Sequence, residues 1–157
     1  MAYLLQPLLR IRMMREDRAS GELVAARREL AAAEEALEAR RHDLSEYEKT
    51  KEERRDRIYD AIIGRQVSRE QIDLANEGVA RIDEEGALKA DNVARAEGER
   101  KKREAETEVA RGNLALAMKN RTKIDEHKDV WKAAETAEEE RRAEGELEDF
   151  VVRKPEI

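Results

Sequence analysis

A seven-residue spacing of apolar side chains constrains this chain more than any other feature of its sequence. In the first part of the chain, Leu23, Leu30, Leu37 and Leu44 are spaced by seven, and Ile58 continues the series after Lys51. A companion series three residues later includes Ala26, Ala33 and Tyr47. Residues spaced in this way form one stripe on a helix, the a and d positions of a heptad repeat. The pattern therefore predicts a long helix that packs against another helix along a narrow seam.

The second half of the chain continues the repeat. Heptad steps run from Ile72 to Lys128, and a companion series runs from Ala75 to Trp131. Glycine and arginine fill several of these positions between residues 86 and 103, and glycine weakens a helix interior. We therefore expect a frayed or bent stretch around residues 86–98.

A turn separates the two patterns. Gly64 is suited to the left-handed conformation that ends many helices, and Ser68-Arg-Glu-Gln71 has the form of a capping box that begins the next. A short connection makes neighbouring helices antiparallel, which pairs residues whose numbers add to about 132. The predicted fold is all-α, a long antiparallel two-helix coiled-coil hairpin. It forms a single unit over residues 1–157, with helix one at about 7–63, the turn at 64–68 and helix two at about 69–150.

Composition narrows the function classes. Charged residues make up 45% of the chain, and its net charge of −6 comes from closely mixed acidic and basic residues. This balance, with 3% aromatic residues, argues against nucleic acid as a partner. No cysteine is present, and no apolar run approaches the ~20 residues that span a bilayer. The sequence predicts a cytoplasmic protein without direct membrane insertion.

Catalytic motifs are missing from the sequence. It contains no glycine-rich phosphate loop and no HExxH metal motif. Its two histidines, His42 and His127, lie in strongly charged helical stretches, and we interpret both as solvated surface residues. The chain is therefore predicted not to be an enzyme and to hold no cofactor or metal.

Two features suggest a protein partner. An apolar run near the N-terminus is too large for a single seam: Tyr3, Leu4, Leu5, Leu8, Leu9, Ile11, Met13 and Met14. It either packs against the end of helix two or forms a docking surface, because contiguous apolar patches often mark interaction sites. Trp131, the only tryptophan, is either a seam residue or a binding hot spot, a role in which tryptophan is enriched.

Two segments also resemble a known family. Residues 3–19, from Tyr3 through Pro7 and Arg15 to Ala19, resemble the start of the YscO/FliJ family of type III secretion stalk proteins, with the YscO-like members most similar. Residues 127–132, around Trp131, resemble a tryptophan-containing segment in the second helix of those proteins.

The resemblance implies a bacterial cytoplasmic hairpin, peripheral to the secretion apparatus at the inner membrane. Such a protein binds the hexameric export ATPase, promotes its assembly or activity, and links it to the export gate protein. Some members also bind secretion chaperones. Carried over to this chain, the end with both termini enters the ATPase ring and the turn at residues 64–68 faces the gate. The partner-binding residues that the resemblance implies in helix one are Leu4, Leu5, Leu8, Leu9 and Arg12. Trp131 joins the predicted partner-binding residues as a candidate hot spot.

A different function class remains open. A structural coiled-coil tether or spacer, or a chaperone-binding adaptor without an ATPase partner, would have the same heptad pattern. ATP hydrolysis stimulated in a partner would favour the stalk, whereas concentration-dependent dimerisation without an ATPase partner would favour the tether.

Overall fold

Two long helices account for most of the chain. A computed structural model describes residues 1–152, with α1 at Gln6–Asp60 and α2 at Arg69–Val152. Residues 153–157, which the prediction included in the hairpin, lie outside the described residues. No strand occurs between residues 1 and 152. The predicted fold class is confirmed: the protein is an all-α helical hairpin.

The turn between the helices is built around a glycine. After Asp60 the chain turns through residues 61–64, and Gly64 has a φ of 72°, in the left-handed region that glycine adopts without steric penalty. Beyond it, the Ser68 amide donates to Gln71 Oε1 at 2.9 Å, and the Gln71 amide donates to Ser68 Oγ at 3.3 Å. These reciprocal bonds satisfy two backbone donors at the start of α2, as expected of a capping box.

The described residues cluster into two compact units. Unit 2 comprises Val24–Val109, and its buried seam residues include Ala33, Leu37 and Tyr47 from α1 and Ala75, Val79 and Ile82 from α2. Ion pairs across this seam show the antiparallel order, because Asp43 pairs with Lys89 at 2.9 Å and Glu29 pairs with Arg103 at 3.7 Å. The hydrogen bond from the Lys89 ammonium lowers the pKa of the Asp43 carboxyl below its ordinary value.

Gly86 makes room for a large seam side chain in unit 2. A Cβ atom at position 86 would lie 2.9 Å from Tyr47 Cε1, closer than carbon atoms pack. The Tyr47 hydroxyl donates a hydrogen bond to the Ile82 carbonyl, which fixes the ring in this position. Of the expected fraying or bending at residues 86–98, the fraying is wrong, because α2 continues through them without a break, and the bend stays a prediction. Tyr47 fills the space that the missing side chain leaves.

Unit 1 pairs Met1–Leu23 with the part of α2 that begins at Ala110. Its buried residues are Tyr3, Leu9, Ala19 and Leu23 from the first segment and Ala110 from α2. Polar pairs flank this seam, such as Glu16 with Arg121 at 3.2 Å and Gln6 with Lys128 at 2.8 Å. From Thr136 to Val151 every α2 residue is exposed. The last four turns of α2 therefore form no buried seam with α1.

Candidate partner-binding surface

An aromatic cluster anchors the first residues of the chain to α2 within unit 1. The Tyr3 hydroxyl and His127 Nδ1 form a hydrogen bond of 2.7 Å, and the Tyr3 ring centroid lies 5.3 Å from that of Trp131. The Lys128 ammonium lies 6.0 Å from the centroid of the Tyr3 ring, within the range of a cation–π contact. Tyr3 is thereby buried although it precedes α1.

This cluster corrects one interpretation and extends another. His127 is exposed, as expected of a surface histidine. It also forms a hydrogen bond with the Tyr3 hydroxyl, which the charged residues around it in the sequence did not predict. Trp131 is half-buried, with one side against Tyr3 and the other open to solvent. The seam interpretation therefore describes one side of Trp131, and its role as a binding hot spot stays a prediction.

The predicted contact residues of the apolar N-terminal run separate by their exposure. Leu4 is 89% exposed, whereas Leu9 is 4% exposed and belongs to the core of unit 1. Leu5 and Leu8 are half-buried, as is Arg12. Of these leucines, only Leu4 is open to a partner over most of its surface, and Leu9 could reach one only if unit 1 opened.

Further exposed residues extend this surface along α1. Ile11, Met14, Arg15 and Arg18 line one shallow depression, which we call the α1 outer face. They follow the i, i+3, i+4, i+7 spacing of one helix face, and Met14 is 69% exposed. Arg18 pairs with Glu22 at 3.1 Å, whereas Arg15 makes no ion pair within residues 1–152. This face therefore combines apolar surface with an available positive charge.

A second groove lies beside the α1 outer face, between the two helices of unit 1. Arg12, Arg15 and Arg18 line it from α1, and Asn113 and Asn120 line it from α2. The Nε atom of Arg12 is buried without a hydrogen-bond partner among the described residues. These groups are all able to donate hydrogen bonds to an acidic side chain.

The open side of Trp131 faces a shallow acidic pocket. We call it the Trp131 pocket, and its lining includes Met1, Trp131, Glu135, Glu138, Glu139 and Arg142. The Met1 amine donates a hydrogen bond to Glu135, and this bond raises the pKa of the amine above its ordinary value. Arg142 lies 3.6 Å from Glu138. Glu139 makes no ion pair or hydrogen bond within the described part of the chain, but its carboxylate interacts electrostatically with the Met1 amine.

The end of α2 carries an apolar stripe that the sequence analysis missed. Leu147, Phe150 and Val151 are 67%, 83% and 74% exposed. Together with three residues of the preceding turns they share one helix face, which we call the α2 end stripe: Glu140, Ala143, Glu144, Leu147, Phe150 and Val151. The i, i+3, i+4, i+7 spacing is visible in the sequence, but these residues do not occupy the a and d positions of the heptad repeat that predicts the seam.

Searches for other kinds of site are negative in the part of the chain that the structure describes. No group of three or more His, Cys, Asp or Glu side chains between residues 1 and 152 is arranged to hold a metal ion. Across the same residues, neither helix contains a stretch apolar enough to cross a membrane.

Comparison with known proteins identifies the family. The family model described as type III secretion protein YscO matches residues 5–153. A solved structure of a YscO homologue, CT670 from Chlamydia trachomatis, is similar with a TM-score of 0.77 and 21% sequence identity, over 96% of this chain and 92% of that one. A search of curated proteins found no match. The structural likeness confirms the fold, and the family match covers nearly the whole chain.

Proposed function

This chain belongs to the YscO family of type III secretion proteins, and from that membership we propose that it acts as a stalk of the secretion apparatus. In this role it binds the hexameric export ATPase, promotes the assembly or activity of the ATPase, and links it to the export gate protein. It works in the bacterial cytoplasm, at the inner membrane, and carries out no catalysis of its own.

The observation that carries the proposal is the exposed apolar surface of unit 1. Leu4, Met14 and Phe150 are 89%, 69% and 83% exposed. Burial of these apolar side chains in an interface would be favourable, because it removes their surface from water. Such a surface, interspersed with charges, is typical of a protein that is bound by another. The contact with the ATPase is therefore assigned to unit 1.

Within unit 1 the residues have different roles. Leu4 and Arg12 are proposed as direct contacts, with Leu5 and Leu8 contributing their exposed edges. Leu9 supports the surface from the core, since it is buried. Trp131 is proposed as a contact through its open side. This division replaces the uniform set of contacts that the resemblance implied.

The turn is the proposed contact for the export gate. Ile63 is 69% exposed there, next to Gly64 at the left-handed position. An exposed β-branched residue on a defined turn is a compact apolar contact. Its replacement by serine is expected to impair gate binding while ATP turnover in the purified ATPase stays unchanged.

Stimulation of ATP turnover tests the stalk function. The purified chain is titrated into its cognate export ATPase, and the half-maximal concentration is compared with that of a Leu4→Ser/Met14→Ser variant. Removal of two exposed apolar contacts is expected to raise this concentration on the order of tenfold, which corresponds to about 1.4 kcal/mol. Point variants are preferred to deletion of residues 1–14, because deletion would also remove the buried Tyr3 and Leu9.

Two controls make the result specific. Val109→Ser removes an exposed apolar side chain that is 64% exposed in unit 2 and should leave stimulation unchanged. Leu9→Ala should lower the thermal stability of the chain instead of weakening a contact directly. If the wild-type chain does not stimulate an ATPase shown to be active, the stalk proposal is wrong and the tether becomes the better explanation.

A further inference from the structure

The end of α2 concentrates the negative charge of the chain. Residues 131–151 contain eight acidic and three basic side chains, a net charge of −5, in a chain whose net charge is −6. The remaining residues are therefore almost balanced. A local charge of this size in an exposed helix selects for a basic partner surface and repels acidic ones.

The α2 end stripe adds apolar surface to this charge. Leu147 follows Trp131 by sixteen positions, which places it about 160° around the helix from Trp131 at ~100° per residue. Trp131 packs toward Tyr3, so the stripe turns away from the seam of unit 1. No described residue of α1 covers it, and its apolar residues Leu147, Phe150 and Val151 are all exposed, Phe150 to 83%.

The acidic residues of the stripe lie beside its apolar residues. Glu144 and Glu140 precede Leu147 on the same helix face, about one and two turns earlier, respectively. Neither carboxylate makes an ion pair or hydrogen bond within residues 1–152. An amphipathic helix with this arrangement fits an apolar groove that has cationic side chains at its rim.

The Trp131 pocket offers a more specific contact on the same segment. An indole ring is the best side chain for a cation–π contact, and two carboxylates lie on the rim of the pocket. Glu138 already pairs with Arg141 and Arg142, whereas Glu139 pairs with no arginine among the described residues. Arginine suits such a pocket better than lysine, because its planar guanidinium stacks on an aromatic ring and bonds carboxylates at its edges.

We propose that the end of α2, residues 131–151, is a docking helix for an apolar groove with a basic rim on a partner protein, with an arginine of that groove entering the Trp131 pocket. This inference rests on the proposed function in one respect: the partner is taken to be a component of the secretion apparatus. The chemistry of the groove follows from the charge and apolar spacing of this chain.

A second copy of the chain is the competing occupant. The α1 outer face has apolar residues and two arginines, of which Arg18 is paired with Glu22 and Arg15 has no ion pair within residues 1–152. Two copies would also bring two acidic α2 ends into one assembly, which raises the electrostatic cost. The charge pattern therefore favours a different, basic protein.

Fluorescence of Trp131 tests the proposal, since it is the only tryptophan in the chain. The probes are two synthetic amphipathic helical peptides with the same leucine stripe, flanked by arginine in one and by the neutral isostere citrulline in the other. The arginine peptide is expected to shift the Trp131 emission saturably, and the citrulline peptide should bind at least tenfold more weakly. Added salt should weaken binding of the arginine peptide, as expected for exposed charges.

Matched variants locate the binding site. Glu138→Gln/Glu139→Gln should weaken binding of the arginine peptide several-fold, whereas Glu34→Gln/Glu35→Gln, an adjacent exposed pair in unit 2, should leave it unchanged. Phe150→Ser should weaken binding several-fold, while Val109→Ser should have no effect. All of these side chains are exposed, and circular dichroism checks that the variants stay folded.

Several outcomes would overturn the proposal. Equal affinity for the two peptides, equal loss from the Glu34/Glu35 control, or binding without a change in Trp131 emission would each do so. Sedimentation of the chain alone should show a monomer. Concentration-dependent association that Phe150→Ser abolishes would assign the stripe to a second copy instead. Because the peptides replace the ATPase, failure of this test and failure of the stalk function are separate results.

Discussion

Replacement of Gly86 by alanine tests whether the seam of unit 2 depends on the contact between Tyr47 and a glycine. A methyl group at this position would approach Tyr47 Cε1 to 2.9 Å. The ring cannot move aside freely, because it is buried and its hydroxyl donates to the Ile82 carbonyl. Charged groups of Arg54 and Lys89 also lie 5.7 Å from the ring centroid.

Two opposing effects set the magnitude. Alanine stabilises a helix interior by about 0.5–1 kcal/mol relative to glycine. Overpacking of a seam costs about 1–3 kcal/mol. The free energy of unfolding is therefore expected to fall by about 0–2.5 kcal/mol, the difference between these two ranges.

Gly98→Ala is the matched control. Gly98 lies in the same helix and the same unit, and an added Cβ would meet nothing within 4 Å. In this variant the free energy of unfolding should rise by about 0.5–1 kcal/mol, because alanine favours the helix more than glycine does and meets no clash. Urea unfolding followed by circular dichroism at 222 nm measures both variants. The difference between them isolates the packing cost, about 1–3 kcal/mol.

A double variant tests the cause. In a Tyr47→Leu background the bulky ring is absent, so Gly86→Ala should become stabilising, as Gly98→Ala is. If Gly86→Ala stabilises the wild-type chain as much as Gly98→Ala does, the ring tolerates the methyl group and the reasoning is wrong.

Three further predictions concern the turn, the helix cap and the N-terminal anchor. Gly64→Ala should destabilise the chain by about 1–2 kcal/mol, because alanine at a φ of 72° meets the left-handed penalty; a gain in urea midpoint would contradict this. Ser68→Ala should cost about 0.5–2 kcal/mol by loss of the bond to the Gln71 amide, and hydrogen exchange of the first turn of α2 should accelerate; unchanged exchange would show that water replaces the cap. Tyr3→Phe should cost about 0.5–1.5 kcal/mol through loss of the 2.7 Å bond to His127, while ring contact with Trp131 persists and its emission maximum stays nearly unchanged. A large red shift in that variant would mean that the hydroxyl, and not the ring, holds the segment in place.

The fold was predictable because its main determinant is periodic. The heptad series identified the seam residues Leu23, Leu37 and Val79, all of which are buried. Gly64 and the Ser68 capping box indicated the reversal between the helices, since each has a local physical role that is independent of the rest of the chain. The antiparallel order then followed from the short connection.

The role of Gly86 could not be predicted from periodicity. Glycine at a seam position is unfavourable for the helix itself, and propensity alone indicates fraying. Its compensation comes from Tyr47, thirty-nine residues earlier in the sequence, whose ring occupies the space above it. Only the spatial register between the two helices shows that contact.

The candidate surface was predicted in part. The sequence indicated the apolar run near the N-terminus and Trp131 as candidate contacts, but it did not distinguish the exposed Leu4 from the buried Leu9. That distinction depends on where the chain enters α1 and on the anchoring of Tyr3 to α2. The α2 end stripe was not predicted, because its apolar residues are few and interspersed with glutamates. The heptad repeat is the stronger periodic signal in this helix.

The narrow seam has a consequence for how sequences of this kind can diverge. Only eleven apolar residues and Thr107 are buried among residues 1–151. A substitution at most other positions meets solvent on at least one side, where its effect on folding is usually within about 0.5 kcal/mol. Homologues can therefore exchange most of their outer residues, including whole charged faces, without losing the hairpin. Specificity for one bacterium's export machinery can evolve separately from the ability to fold.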